Sequence, residues 1–413
     1  MSAVTLRLCS GLVQLLRNDA KLFYVFQRIF MEKTLLLLTL CSLILFAGCS
    51  KKPSDAQRNQ TAEEEFILVP LVADESDEVQ PLEGLGPNGE KPVGVDALTG
   101  LITDEDAKKL KQGNYTAVAC FHFLANDWSQ LQLKGIKDTL KKYNVKLLAV
   151  TDGQLKIDKQ IADYESAIQL KPNLIITIPL DRDATAPVLR KAVDNGIILS
   201  FIDTVPTGFT HPRDYAGLGT ADNYANGRVS IEILAEYLGG KGKVALLNYK
   251  YSMFHTEQRS QAARETLKKY PGIEIIAEQS VENPEEAANK TESLLIANPD
   301  LAGIWAVWDG AGMAAAGVIK NMGRKTVVTT VDLSRDSAYS IASGGLLIGT
   351  GTQHPYDQGV AETLIGLAAV LGKPTPPYVL VPGEKVTRKS MERSWKRVFK
   401  AELPKELKKA LKE

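Results

Sequence analysis

From Tyr115 onward, short apolar runs rich in Val, Ile and Leu alternate with longer segments whose apolar positions recur every three to four residues. The short runs are too compact and too β-branched for helices, and the longer ones have the period of one buried helical face. The pattern predicts strands at 116–121, 146–151, 173–178 and 197–202, with helices at 127–143, 156–170 and 184–195 between them and a fifth strand at 215–219. A second series follows: helix 222–238, strand 243–247, helix 257–270, strand 273–279, helix 285–298, strand 303–307, helix 311–322 and strand 326–331. A short helix at 336–343, strand 348–352 and helix 355–371 complete it. Strand and helix alternating twice over is the signature of α/β architecture, two doubly wound parallel-sheet lobes with crossover helices.

In such sheets ligands sit beyond the carboxyl ends of the strands, so residues just past each strand carry the most information. Past the first strand stands Phe121-His-Phe-Leu-Ala-Asn126-Asp127-Trp128, and past the fourth Asp203-Thr204. In the second half, Arg259 opens a helix, Trp308-Asp309 follows one strand, Asp332 the next, and Gln353-His354-Pro355 the last. Carboxylates and amides accept hydrogen bonds, a guanidinium donates them in a planar fork, and an indole face packs on C–H surface. That mixture suits a sugar. Each residue also has a purely structural reading: Asp203 and Asp332 as turn caps, Arg259 as a partner of Glu257 or Asp309, Trp128 and Trp308 as core, and Asp309 as the start of the helix after it.

These pieces, in order and spacing, resemble a ribose-type periplasmic binding protein, the sugar-binding subunit of an ABC importer, over residues 115 to about 382. The carriers are Phe123-Leu-Ala-Asn126-Asp-Trp128, Ile202-Asp203-Thr204, Asp222-Asn223-Tyr-Ala-Asn-Gly227, Glu257-Gln-Arg259, Trp308-Asp309-Gly310-Ala, Val331-Asp332 and Gln353-His-Pro355. The resemblance implies two lobes joined by three crossings that close on a monosaccharide or similar polyol. It makes Asn126, Trp128, Asp203, Arg259, Asp332 and Gln353 ligand contacts, with Trp308 where the family commonly has Asn. Two positions depart from the family pattern. Thr204 stands where Arg is frequent, and Glu282-Asn283-Pro284 where a stacking aromatic is frequent, a platform Trp308 is placed to replace. The implied activity is capture and delivery to an ABC permease; the alternative is a sensing module that presents its closed form to a receptor kinase or chemoreceptor.

The front of the chain sets the expected location. An apolar run at 35–46 ends in Ala47-Gly48-Cys49 and turns polar at Ser50-Lys51-Lys52. It has the length of a signal-peptide core, and small residues before a cysteine resemble a lipobox, so Cys49 is expected to be lipidated and residues 1–48 removed. The protein is then extracytoplasmic, in the periplasm or at the cell surface, and held to the membrane by lipid. Acidic clusters at Glu63-Glu64-Glu65 and Asp74–Glu78 with turn residues between them read as a tether over 49–113, with a helix start near Thr103 and an apolar patch at 66–72 able to dock on the body. The expected division is an N-terminal lobe at 114–219 with 354–382, a C-terminal lobe at 220–353, and a surface helix pair at 383–413.

Composition removes other classes. Lys plus Arg and Asp plus Glu both number 49 with no basic stripe, which gives no footing for nucleic acid. Of four cysteines only Cys120 lies in the folded region, so no disulfide framework or multi-cysteine metal site is available. Gly217-Leu-Gly219 lacks the third glycine of a dinucleotide fingerprint, Gly239–Lys243 lacks the spacing of a phosphate loop, and His122, His211, His255 and His354 show no metal-ligand pairing. With no nucleophile elbow either, the expectation is a monomeric binding protein with no cofactor, no metal and no catalysis, hydrolysis of a glycoside being the enzymatic alternative.

Overall fold

The structure is a computed structural model that describes residues 82–251 and 253–413. Cys49, the segment 1–48 expected to be removed, the acidic clusters and the patch at 66–72 lie outside the described residues.

One sheet is built from β1 (Val93–Gly94), β2 (Thr116–Phe121), β3 (Lys146–Asp152), β4 (Leu174–Thr177), β5 (Ile198–Ile202), β6 (Gly217–Ala221) and β12 (Tyr378–Val381). Its order is β1-β12-β6-β5-β4-β2-β3, and every pairing is parallel. Its interior strands are covered on both faces, so β4 (Leu-Ile-Ile-Thr) is apolar along its length rather than alternating, and all of it is buried. Helices α1 (Asp104–Gln112), α2 (Asp127–Lys142), α3 (Ile157–Gln169), α4 (Ala186–Asp194) and α10 (Pro355–Val370) accompany this sheet. The second sheet holds β7 (Lys241–Tyr249), β8 (Gly272–Val281), β9 (Leu301–Ala306), β10 (Val327–Val331), β11 (Leu347–Thr352) and β13 (Glu384–Thr387), ordered β13-β11-β10-β9-β7-β8. Around it stand α5 (Asn223–Tyr237), α6 (Phe254–Leu267), α7 (Pro284–Ala297), α8 (Asp309–Asn321) and α9 (Arg335–Ala342). The chain passes between the sheets three times: after β6, after β11 and after β12.

The helix starts obey local capping chemistry. Asn126, Asp222 and Asn283 each accept the amide of the residue three positions on, and Thr103 and Ser334 form reciprocal capping boxes. Two expectations need correction. The tether ends earlier than Gly113: from Leu82 the chain belongs to the body. Glu83 donates its amide to Asp222 Oδ2 at 2.8 Å and bonds the Arg228 guanidinium, β1 pairs with β12, and Leu98 and Leu110 are buried. Acidic composition suggested solvation, but the apolar Val93, Val95, Leu98 and Leu101 gather on one small core with Ile365 and Val379.

The C-terminal segment is likewise more than a surface helix pair. β13 pairs antiparallel with β11, and α11 (Met391–Phe399) with α12 (Lys405–Ala410) buries Met391, Trp395, Val398, Phe399, Leu403 and Leu407 in the core of the second lobe. Lysines and arginines on their outer faces masked this in the sequence. Cys120 is buried in the first lobe, and burial pushes its thiol up to about 12, which makes it inert at neutral pH.

Candidate functional site

A cavity of about 600 Å³ lies where the carboxyl ends of the two sheets face each other. The seven residues expected there, Asn126, Trp128, Asp203, Arg259, Trp308, Asp332 and Gln353, all line it.

The two sheets contribute aspartates in the same way. Asp203 follows β5 and donates its amide to Gly219 O on the adjoining strand; Asp332 follows β10 and donates its amide to Gly351 O, each at 3.0 Å. Both hold left-handed backbone, φ 54° and 77°, a conformation that costs free energy outside glycine and that short polar side chains tolerate best. Asp203 Oδ1 accepts the Thr220 hydroxyl at 2.5 Å, while Oδ2 is buried without a partner. Asp332 accepts the Arg259 guanidinium at 3.3 Å on Oδ2 and the Gln353 side-chain amide on Oδ1. Gln353, 1% exposed, keeps its own carbonyl oxygen unpaired.

Arg259 is the hub. Its Nε donates to Asn223 Oδ1 at 2.8 Å and its Nη1 to Val307 O at 3.1 Å as well as to Asp332. It sits on α6, brought close to α5 at Gly227, where a Cβ would lie 2.4 Å from the Arg259 carbonyl oxygen. The pairing with Glu257 or Asp309 is therefore replaced by Asp332, Asn223 and a backbone carbonyl. Trp128 meets His122 edge-on at 6.0 Å and leaves its indole N–H without a partner; Trp308 meets Tyr249 edge-on at 5.1 Å. Neither tryptophan is sealed in a core, so each offers ring surface to the cavity. Asn126 behaves differently: its Oδ1 already caps α2, accepting the Ser129 amide at 2.9 Å and hydroxyl at 2.6 Å.

Burial governs the charge states. It raises Asp203 to about 6 against the pull of Thr220 and Arg259. Behind Asp203, fully buried Glu362 has no partner for either carboxyl oxygen, and burial followed by the nearby Asp203 lifts it well above the carboxylate range. Burial in the cleft, then the Asp332 carboxylate, raises Asp309 to about 7. His122 is lowered to about 4 by burial, and His255 well below its usual value by burial and Arg259, so both imidazoles are neutral.

Several lining residues lie beyond the sequence expectation: His122, Tyr249, Met253, His255, Met313 and Ser334. His255 was hidden by a boundary. The pattern starts the helix at Glu257, whereas α6 begins at Phe254 and brings the His255 Nδ1 to 3.3 Å from Thr204 Oγ1 of the other lobe. Asp309 opens α8, as its position implies, and lines the cavity too.

A family model described as a periplasmic binding protein domain matches residues 118–374. Among curated proteins, the chain is 27% identical over 234 residues to a xylitol-binding protein of Mycolicibacterium smegmatis, covering 56% of this chain and 64% of that one. It is 28% identical over 212 residues to a D-apiose import binding protein of Actinobacillus succinogenes, covering 49% and 64%. The chain thus spans just under two thirds of the length of each of these two relatives. Among solved structures, an ABC transporter periplasmic solute binding protein from Actinobacillus succinogenes with bound D-allose superposes with a TM-score of 0.62 at 25% identity, over 68% of this chain and all of that one.

Proposed function

Because this chain belongs to the periplasmic binding protein family, we propose that it is an extracytoplasmic solute-binding protein that takes a monosaccharide or similar polyol and hands it to an ABC permease. The observation that carries the reading is the cavity itself. Asp203 Oδ2 and the Gln353 carbonyl are buried acceptors left unpaired, and Arg259 and Asp332 are fixed beside them between two indole walls. An unpaired buried acceptor costs about 1–3 kcal/mol, a cost that ligand hydroxyls arriving in the cleft would remove. Polyhydroxylated ligands supply such donors at the required density. Xylitol, D-apiose and D-allose, which the relatives bind, are of this class.

In this reading Asn126, Trp128, Asp203, Arg259, Trp308, Asp332 and Gln353 form the ligand shell. Asn126 acts chiefly by presenting the α2 N-terminus, since its side chain is already engaged. The lobes close, exclude water and strengthen every bond in the shell, and the permease reads the closed form. The same reading keeps Cys49 as a lipid-bearing first residue and the acidic stretch up to residue 81 as a spacer, with the folded body monomeric.

A thermal-shift panel of monosaccharides, polyols, nucleosides and peptides tests it. At a hundred times its dissociation constant, a cognate polyol stabilises the protein by about 2.7 kcal/mol. A response confined to nucleosides or peptides sinks the polyol reading. For the anchor, Cys49→Ser should shift the protein from the membrane to the soluble fraction.

A further inference from the structure

The cavity is strongly acidic. Asp127, Asp203, Glu282, Asp309, Asp332 and Asp336 line it, and Arg259 is the one Lys or Arg among the described lining residues. At the rim Lys250 neutralises Glu282 at 2.6 Å and Arg335 pairs with Asp127 at 3.6 Å. Inside, Arg259 is matched to Asp332. Asp309 is different: after burial, the strongest influences on it are Asp332, Ser334, the Gly310 amide and Asp127, and no Lys or Arg forms an ion pair with it among those found at the rim or inside. Neither imidazole of the cavity, His122 or His255, carries charge to offset it.

With a neutral polyol, Asp309 can shed that excess only by holding a proton, whereas a bound cation would offset it directly. Two further features favour a cation. Asp203 Oδ2 and Gln353 Oε1, on side chains each 1% exposed, are unpaired acceptors lining the same space, and an ammonium brings three donors with no acceptor of its own. Trp308 immediately precedes Asp309, and with Tyr249 it provides the aromatic surface over which a cation is attracted. A metal ion would answer the same charge, but no group of three or more His, Cys, Asp or Glu among the described residues is arranged to hold one.

We propose that the polyol taken by this cavity carries a protonated amine, an amino sugar or amino polyol whose ammonium seats on the Asp309 carboxylate beside the Trp308 ring. The inference rests on the polyol reading and narrows it.

Matched pairs test it: D-glucosamine against D-glucose, D-galactosamine against D-galactose, and glucamine against sorbitol, by calorimetric titration of the whole protein. In each pair where either member binds, the amine binds more tightly by about ten-fold, the step from a neutral hydrogen bond to one made by charged groups. Asp309→Asn, which keeps size and hydrogen bonding, removes that preference while its unliganded melting point at pH 7 stays at or above that of the parent, because burial already disfavours the Asp309 charge. A neutral member that binds as well as its amine overturns the inference and leaves the polyol reading standing. A preference that survives Asp309→Asn overturns the seat. Stabilisation by calcium chloride alone assigns the negative charge to a metal and overturns the inference too. If no member of any pair binds, the inference fails together with the polyol reading beneath it.

Discussion

Asp203 is held in left-handed backbone, is 1% exposed, and faces Thr220, Gln358, Arg259, Asp332 and the buried Glu362. Such a residue is poorly suited to the empty fold and well suited to a filled one. Its folded-state pKa, raised to about 6, lies above the unfolded value, so the native state holds the proton more tightly. The contribution of Asp203 to the stability of the empty protein therefore falls as pH rises between about 4 and 6 and is not regained above it. Asp203→Asn should remove this loss, gaining on the order of 1–3 kcal/mol at pH 7 in urea denaturation while abolishing ligand-induced stabilisation. A variant that loses stability at pH 7 contradicts the assignment. Arg259→Ala has the opposite sign on stability. It strands half-buried Asp332 and buried Asn223, so it should cost about 3 kcal/mol as well as binding, and denaturant midpoints with and without ligand measure both effects. The positions of these residues were legible in the sequence because strand ends face one way in a parallel sheet. Their wiring was not: that Arg259 pairs with Asp332, that Asn126 is spent as a cap, and that His255 reaches Thr204 depend on packing between elements far apart in the chain.

Alternation at periods of two and three to four located the strands and crossover helices between residues 116 and 371 to within a few residues, because apolar runs buried on both faces leave little ambiguity. β12 (Tyr-Val-Leu-Val) lies past the last element read from the pattern, too short and isolated to alternate with a helix; the other pieces missed are those whose apolar content is diluted. β1 is two residues long, β13 is Glu-Lys-Val-Thr, and α11 carries five apolar or small buried positions among charges. Their burial follows from what they cover. Trp395 stacks on Phe399 at 3.9 Å, donates its indole N–H to Glu402 O at 3.2 Å, and packs into the main core of the second lobe. Trp395→Ala should therefore cost about 3–5 kcal/mol, as for a large aromatic removed from a core, rather than the few tenths expected of a surface helix. Equilibrium unfolding reads this directly, and a change below 0.5 kcal/mol would restore the surface-helix reading.

At the scale of the whole molecule, three crossings join the lobes, and the closure proposed above needs contacts between the lobes of its own. Asp127, in the first turn of α2, supplies one opposite the start of α9: its Oδ2 accepts the Arg335 backbone amide at 2.8 Å, and its Oδ1 lies 3.6 Å from the Arg335 guanidinium. The guanidinium is 73% exposed, so the ionic part of the contact is worth roughly 0–1 kcal/mol and is screened by salt; the backbone hydrogen bond contributes a similar amount. Apparent affinity scales with the population of the binding-competent form. Arg335→Ala, which keeps the backbone bond, should consequently change affinity by less than about three-fold and lose even that in high salt. Asp127→Ala removes both contacts and should weaken polyol binding by about five- to ten-fold, through faster dissociation, with an unchanged melting point for the empty protein. Small-angle scattering should show saturating ligand reducing the radius of gyration in both variants, with Asp127→Ala requiring more ligand to reach it. An Asp127→Ala protein that binds as tightly as the parent would mean that closure is held by the ligand shell alone.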